Sequence, residues 1–460
     1  MNKLLLLLLA ATLVACGPKP KPVIDAGPEE DAGVDAGIDA GRMRGVEPPT
    51  GYTRALELPE GNGPSVRVGV SAAMALDQFG HPMIAAIYTD PNNDGIHIDD
   101  SLVFTRWNGL DKSADGGAGM YQAPITIASV GAIDVTEPNR QVSITRDPSS
   151  GAIGVAYITE QKAVKIAVSF DEGLTWSLET VSLTNASSHV LSNPALVIKD
   201  GVTHVAYFEA EAPCGTADCG QIIYRRRVGK ATFSDSASPA PVSPDVTLTR
   251  PFALAVDSAG NAGLAYFTGP TGVVGGAVNL LFWRPSGAAT TKIADSGGAP
   301  IPKPPSVSLT FSAAKPVVAY HLPSSTSANA QLWYAAAADA AGSTFTPVEI
   351  PRNSAGTAFE ETGLFQAIAL DPDGKIAIAA NHIGVAVLQG CKGGPKLSRS
   401  STGTTFTTCR PDTGANGVFG QAGLWINAAF HKADKVTLAF TYETNSNPTI
   451  KGGVIVFRQP

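Results

Sequence analysis

Three arginines, Arg67, Arg140 and Arg250, stand just ahead of alternating apolar runs. A set of carboxylates and imidazoles, Asp90, Glu160, Glu209, His321, His382 and Glu443, stands just behind others. A guanidinium fork holds a carboxylate through paired, charge-assisted hydrogen bonds. Carboxylates and imidazoles accept hydroxyl hydrogen bonds or move protons. As a group these residues suit recognition of a polar ligand, or acid–base chemistry on one. Taken singly, each also fits a solvated surface position. Asp90-Pro91-Asn92-Asn93-Asp94-Gly95 has the Asp-x-Asn-x-Asp-Gly opening of a calcium loop, with Asp90, Asn92 and Asp94 as ligands. Its twelfth position is Ser101 instead of the bidentate glutamate, so an Asn/Asp/Gly-rich turn is the competing reading. No other cofactor is implied.

The five cysteines divide into one and four. Lys3 precedes the apolar stretch Leu4 to Ala15, which is too short to span a bilayer and ends in Leu13-Val14-Ala15-Cys16-Gly17. This ending resembles a bacterial lipobox. The resemblance implies cleavage after residue 15, an acylated Cys16 carrying palmitate-type chains and, since Gly17 is not aspartate, sorting to the outer membrane. Residues 1–15 then form the signal peptide. In the oxidising envelope the remaining cysteines are expected as disulfides, most economically Cys214 with Cys219 and Cys391 with Cys409. Residues 16–50 read as a linker: Pro18-Lys19-Pro20-Lys21-Pro22, then Asp-Ala-Gly repeated from Asp25, Asp31, Asp35 and Asp39. Such a segment has too little to bury to repay its ordering entropy, and as a loose coil spans about 30 Å. The net charge of −7 and the lack of a basic stripe exclude nucleic acid as a partner, and a monomer is expected.

The elements that position the candidate groups follow from a repeat over residues 51–460. An aliphatic residue followed by alanine recurs as Ile84-Ala85, Val155-Ala156, Val205-Ala206, Leu264-Ala265, Val318-Ala319, Ile378-Ala379 and Leu438-Ala439. A turn precedes each at a fixed offset, at Gly80, Gly151, Gly201, Gly260, Ala314, Gly374 and Asp434. The intervals are about 50 to 70 residues, so one hairpin repeats with loops of varied length. An alternating run lies on each side of the turn, a third strand follows (Leu280-Leu281-Phe282-Trp283 is one), and a weaker fourth completes the unit. This predicts an all-β fold: a seven-bladed β-propeller of four-stranded antiparallel blades, with six blades as the alternative count. The last unit lacks an outermost strand, and Thr53 to Leu58 alternates correctly to supply it and close the ring.

Ser169-Phe170-Asp171-Glu172-Gly173-Leu174-Thr175-Trp176 resembles the Asp-box, Ser-x-Asp-x-Gly-x-Thr-Trp, of sialidase-like (BNR-repeat) propellers. Gly342-Ser343-Thr344-Phe345 and Gly403-Thr404-Thr405-Phe406 echo it, with Ala340 and Ser401 at the aspartate position. The resemblance covers residues 53 to 460. It implies that Ser169, Asp171, Gly173, Thr175 and Trp176 are structural and lie on the face opposite the ligand mouth. It further implies that the mouth lies where first strands begin and second strands end, which is where Arg67, Arg140, Arg250, Glu160, Glu209, His321, His382 and Glu443 fall. Sialidases hold a sialate carboxylate with three arginines. Their Arg-Ile-Pro opening is replaced here by Arg67-Val68-Gly69, and they have six blades. The leading expectation is therefore a surface-anchored, non-catalytic propeller binding a glycan or protein at its mouth. The alternatives are an exo-acting glycoside hydrolase of the sialidase type and a structural subunit of an envelope assembly.

Overall fold

Seven copies of one hairpin, each apolar on both faces, have to bury those faces against one another, and a closed ring does so with no end left over. The computed structural model describes residues 47–48, 50–57, 71–88, 101–107, 121–131, 142–159, 162–183, 189–211, 220–234, 237–239, 252–268, 278–287, 289–297, 306–324, 327–351, 361–383, 396–409, 421–446 and 449–459. Among them there are strands and no helix. After β1 (Gly51–Glu57), the first blade is β2 (Ala72–Leu76), β3 (Pro82–Tyr88), β4 (Ser101–Arg106) and β5 (Ile125–Ser129). The second is β6 (Val142–Arg146), β7 (Ile153–Thr159), β8 (Ala163–Ser169) and β9 (Ser177–Leu183). The third is β10 (His189–Lys199), β11 (Val202–Glu211) and β12 (Gly220–Val228). The fourth is β13 (Phe252–Val256), β14 (Ala262–Thr268), β15 (Asn279–Trp283) and β16 (Thr290–Asp295). The fifth is β17 (Ser306–Ser312), β18 (Lys315–Ser324), β19 (Ser327–Ala337) and β20 (Phe345–Glu349). The sixth is β21 (Glu361–Leu370), β22 (Ile376–Ile383), β23 (Lys396–Ser400) and β24 (Thr407–Cys409). The seventh is β25 (Gln421–Lys432), β26 (Lys435–Ser446) and β27 (Thr449–Arg458), with β1 at its outer edge.

The count of seven holds, and six is excluded. The first strands touch in cyclic order, β2 to β6, β10, β13, β17, β21, β25 and back to β2. Seven buried apolar clusters each fill the seam between two neighbouring blades. Successive residues of a second strand feed opposite seams. Val155 and Tyr157 pack toward the first blade, Ala156 and Ile158 toward the third. The repeated alanine is explained by its partner. Ala85, Ala156, Ala206, Ala265, Ala319, Ala379 and Ala439 face Ala73, Ser143, Ala195, Ala253, Ser308, Ala367 and Asn427 on the first strands. These alanines are all buried. Near the axis, where blades converge, mostly small residues fit.

Ring closure is also as expected. β1 runs antiparallel to β27 from Gly51↔Arg458 to Glu57↔Gly453. Because Arg458 also pairs with Thr437, beside the 433–434 turn, Gly51 enters on the turn-bearing face of the ring. Glu47 is held on that face by Lys432 at 3.1 Å and by the buried Arg458. In the third blade three strands are described. Among the described residues only a single bridge, Tyr224 to Ala237, stands at its outer edge.

Candidate functional site

The two ends of the ring are built differently. At one end, short turns join first to second strands. Aspartates at the ends of first strands accept the turn amides: Asp77 from Phe79 (2.8 Å) and His81 (2.9 Å), Asp257 from Ala259 (3.0 Å) and Asn261 (2.9 Å), Asp371 from Lys375 (2.7 Å). Asp147 reaches beyond its own blade. It accepts from Ser149 (3.1 Å) and the Ser150 hydroxyl (2.7 Å), and from Asp200 (3.0 Å) and Gly201 (3.2 Å) of the third blade. Burial pushes its carboxyl up. The hydrogen bonds from Ser150, Ser149 and Gly201 outweigh that and bring it down to about 2.

The Ser169–Trp176 turn lies at the same end. Asp171 accepts from Thr175 N (2.9 Å), Thr175 Oγ1 (2.5 Å) and Ser169 Oγ (2.7 Å). Trp176 Nε1 donates to Gly173 O at 3.0 Å. Gly173 has φ +90°, and a Cβ there would lie 2.3 Å from Phe104 Cε1 of the preceding blade. The Trp176 ring meets Phe104 at 5.2 Å. Both echoes repeat the packing, with Phe345 on Phe282 at 5.6 Å and Phe406 on Tyr334 at 5.3 Å. The first echo does have a working aspartate, displaced by one residue: Asp339 accepts from Ser343 N at 3.0 Å. All three turns lock neighbouring blades together, a structural task.

At the opposite end, first strands begin and second strands end. Register places Glu209 opposite Leu191, His321 opposite Ser306, His382 opposite Thr362 and Glu443 opposite Gln421. These four candidates thus stand at the same end of the third, fifth, sixth and seventh blades. Glu209 is half-buried, whereas His321 is 0% exposed. β18 continues past His321 to Ser324 and pairs there with β19, so the rim lies further along the chain than expected. Arg67, Arg140, Arg250, Glu160 and the loop of Asp90, Asn92 and Asp94 lie outside the described residues, as do Cys16, Cys214, Cys219 and Cys391. Cys409 ends β24, opposite Leu397.

Three first strands leave regular pairing at this same end: β10 between Ser192 and Ala195, β21 between Thr362 and Ala367, β25 between Ala422 and Asn427. Asn193, in the first of these, takes φ +53°, a left-handed conformation that asparagine tolerates better than most residues. Such bulges re-aim side chains and recur beside binding sites. The irregular stretch of β21 delivers the buried Gln366, a residue that sequence reasoning did not select. Its Nε2 donates to Ser306 O (2.5 Å) and Ala319 O (3.1 Å), and its Oε1 accepts from the Ser306 hydroxyl. Asn427 likewise donates to Ala72 O at 3.3 Å, joining the seventh blade to the first. A polar residue inside an otherwise apolar first strand was the available signal.

Fold and register together define a seven-bladed β-propeller with the short first-to-second-strand turns at one end and, at the other, the points where first strands begin and second strands end. No protein-family model matches the sequence, and no curated relative does. Solved structures similar in fold include an α-L-arabinofuranosidase from Fusarium graminearum, at 11% identity and TM-score 0.47 over 89% of this chain and 97% of that one. A polysaccharide lyase of the ulvan lyase type gives 10% and 0.49 over 89% and 95%. A protein of unknown function from Dyadobacter fermentans gives 13% and 0.43 over 89% and 100%.

Proposed function

We propose that the chain is a lipid-anchored envelope protein whose propeller presents its mouth to a glycan or protein ligand without turning it over. The supporting observation is where Glu47 and the start of β1 lie. Residues leading into β1 dock through Glu47 on the turn-bearing face, so an anchor upstream of Glu47 draws on that face and leaves the mouth open. The sialidase-like reading of Ser169–Trp176 agrees with this polarity, because the box sits away from the mouth. The mouth residues offered to a ligand are Arg67, Arg140, Arg250, Glu160, Glu209, His382 and Glu443, with Cys16 as the lipid carrier.

The test uses the full chain in detergent. Labelled palmitate should enter it and should vanish in Cys16→Ser. On a glycan array, and against envelope extract, the protein should retain a ligand, lose it in Arg140→Gln or Arg250→Gln, and release no free sugar. Release of monosaccharide from a bound glycan would overturn the non-catalytic reading in favour of the exo-hydrolase. Unchanged labelling of the serine variant would overturn the anchor.

A further inference from the structure

A cleft lies at the end of the ring opposite the proposed mouth. The Arg226–Val228 end of β12 pairs with the Val202–His204 start of β11, beside the 200–201 turn, which puts this cleft on the turn-bearing face. It measures about 620 Å³ and runs between the third and fourth blades, floored by His204 and Tyr224 and edged by Arg226, Val228, Asn261 and Pro285. That volume is in the range of small-molecule sites. The Tyr224–Ala237 bridge, at the outer edge of the third blade among the described residues, lies beside it.

His204 is the group that needs explaining. It is 1% exposed, and its Nδ1 lies 2.7 Å from Tyr224 Oη. Its Nε2 is buried and has no hydrogen-bond partner among the described residues. An unmet buried polar atom is costly and calls for a reason. Burial, and then Arg226, hold the imidazole down to about 4, so near neutral pH the ring is uncharged. The Tyr224 hydroxyl can donate to Nδ1, an arrangement that places the single ring proton on Nε2. Arg227, the residue after Arg226, is engaged: it ion-pairs with Glu179 and lies 4.8 Å over the Phe233 ring. Arg226, one residue earlier, alternates to the other side, is exposed and makes no ion pair among the described residues. Although the chain carries a net charge of −7, no carboxylate lines the cleft among the described residues.

We propose that this cleft is a second binding site, taking a small ligand that carries a carboxylate. The Arg226 guanidinium and the His204 Nε2–H meet the carboxylate. Val228 and Pro285, with the polar edge of Asn261, receive the rest of a compact, partly apolar body. An acidic sugar unit and the C-terminus of a peptide share this chemistry.

Calorimetry on the full chain, with D-glucuronate, D-glucose and N-acetylglycylglycine as probes, tests it. Glucuronate or the dipeptide should bind and glucose should not; whichever carboxylate binds tighter assigns the source. Arg226→Gln should weaken the bound carboxylate by about tenfold or more, as expected for a lost charge-assisted hydrogen bond. His204→Phe, which keeps the ring volume and deletes Nε2, should do the same. Lys315→Gln, an exposed cation elsewhere on the same face, should leave binding unchanged. If His204→Phe does not fold, the exposed Arg226→Gln decides alone. Silence with both carboxylates, equal binding of glucose, or retention within about twofold in Arg226→Gln would overturn the site. Because none of these residues lies at the mouth, that failure is separable from failure of the mouth reading.

Discussion

Two chains, one beginning at Glu47 and one at Leu58, differ by the strand that completes the seventh blade. In β1, Leu56 is 2% exposed and shares a cluster with Val454 and Val456, and Tyr52 packs on Phe457 at 4.8 Å and Phe440 at 6.4 Å. Leu56→Ala should therefore cost about 2–4 kcal/mol, the loss of a buried leucine plus its cavity. Tyr52→Ala, half-buried but holding two aromatic contacts, should cost about 1–3 kcal/mol. The chain beginning at Leu58 loses both, and leaves Arg458 without Glu47. It should fall further than either point variant, and it should aggregate, because Val454 to Phe457 becomes an unpaired apolar edge. Urea unfolding followed by tryptophan emission gives the free energies, and light scattering gives the aggregation. If Leu56→Ala changed stability by less than about 0.5 kcal/mol, or if both shortened chains unfolded at the same urea concentration, β1 would not be part of the fold and the closure argument would fail.

Gly173→Ala combines a positive φ with a Cβ 2.3 Å from Phe104 and should cost about 2–4 kcal/mol in the same assay, with altered Trp176 emission; a neutral outcome would contradict the turn geometry. Asp147 has its folded-state carboxyl brought down to about 2 from an ordinary value near 3.8, so its contribution is fully present above about pH 4 and is lost as pH falls toward 2. Asp147→Asn should accordingly be less stable by about 2 kcal/mol near neutral pH, and the gap should close between pH 4 and 2. A gap independent of pH would remove the carboxylate charge from the explanation.

The blades were legible because their pattern is local. The aliphatic–alanine pair and the turn before it belong to one hairpin, so its fixed geometry shows as a fixed spacing. The closing strand was legible because Thr53 to Leu58 alternates with no other partner in reach. The turn aspartates were harder to see. Asp77 precedes Gly80 by three residues and Asp147 precedes Gly151 by four, while the 200–201 turn borrows Asp147 from the preceding blade. Asp339 escaped notice for a similar reason, a one-residue shift that keeps the hydrogen bond and breaks the motif. At the mouth, sequence reasoning looked for polar groups at strand ends. Gln366 is inside a strand, and its partners Ser306 and Ala319 belong to another blade, so only tertiary structure reveals its task. His321 shows the opposite error: the strand outruns the expected end, and a residue taken for the rim is buried within the blade. The cleft at His204 left no pattern, since its two sides come from separate repeats.

The direction of β1 also has a mechanical meaning. The strand enters the ring at the turn-bearing face and runs toward the mouth, alongside β27. If the chain is held at its N-terminus while something pulls at the mouth, the tension runs along the axis of β1. The bonds from Gly51 to Glu57 are then loaded together, in shear, instead of being opened one after another like a zipper. The junction that completes the ring is thus oriented to carry such a load along its stronger direction.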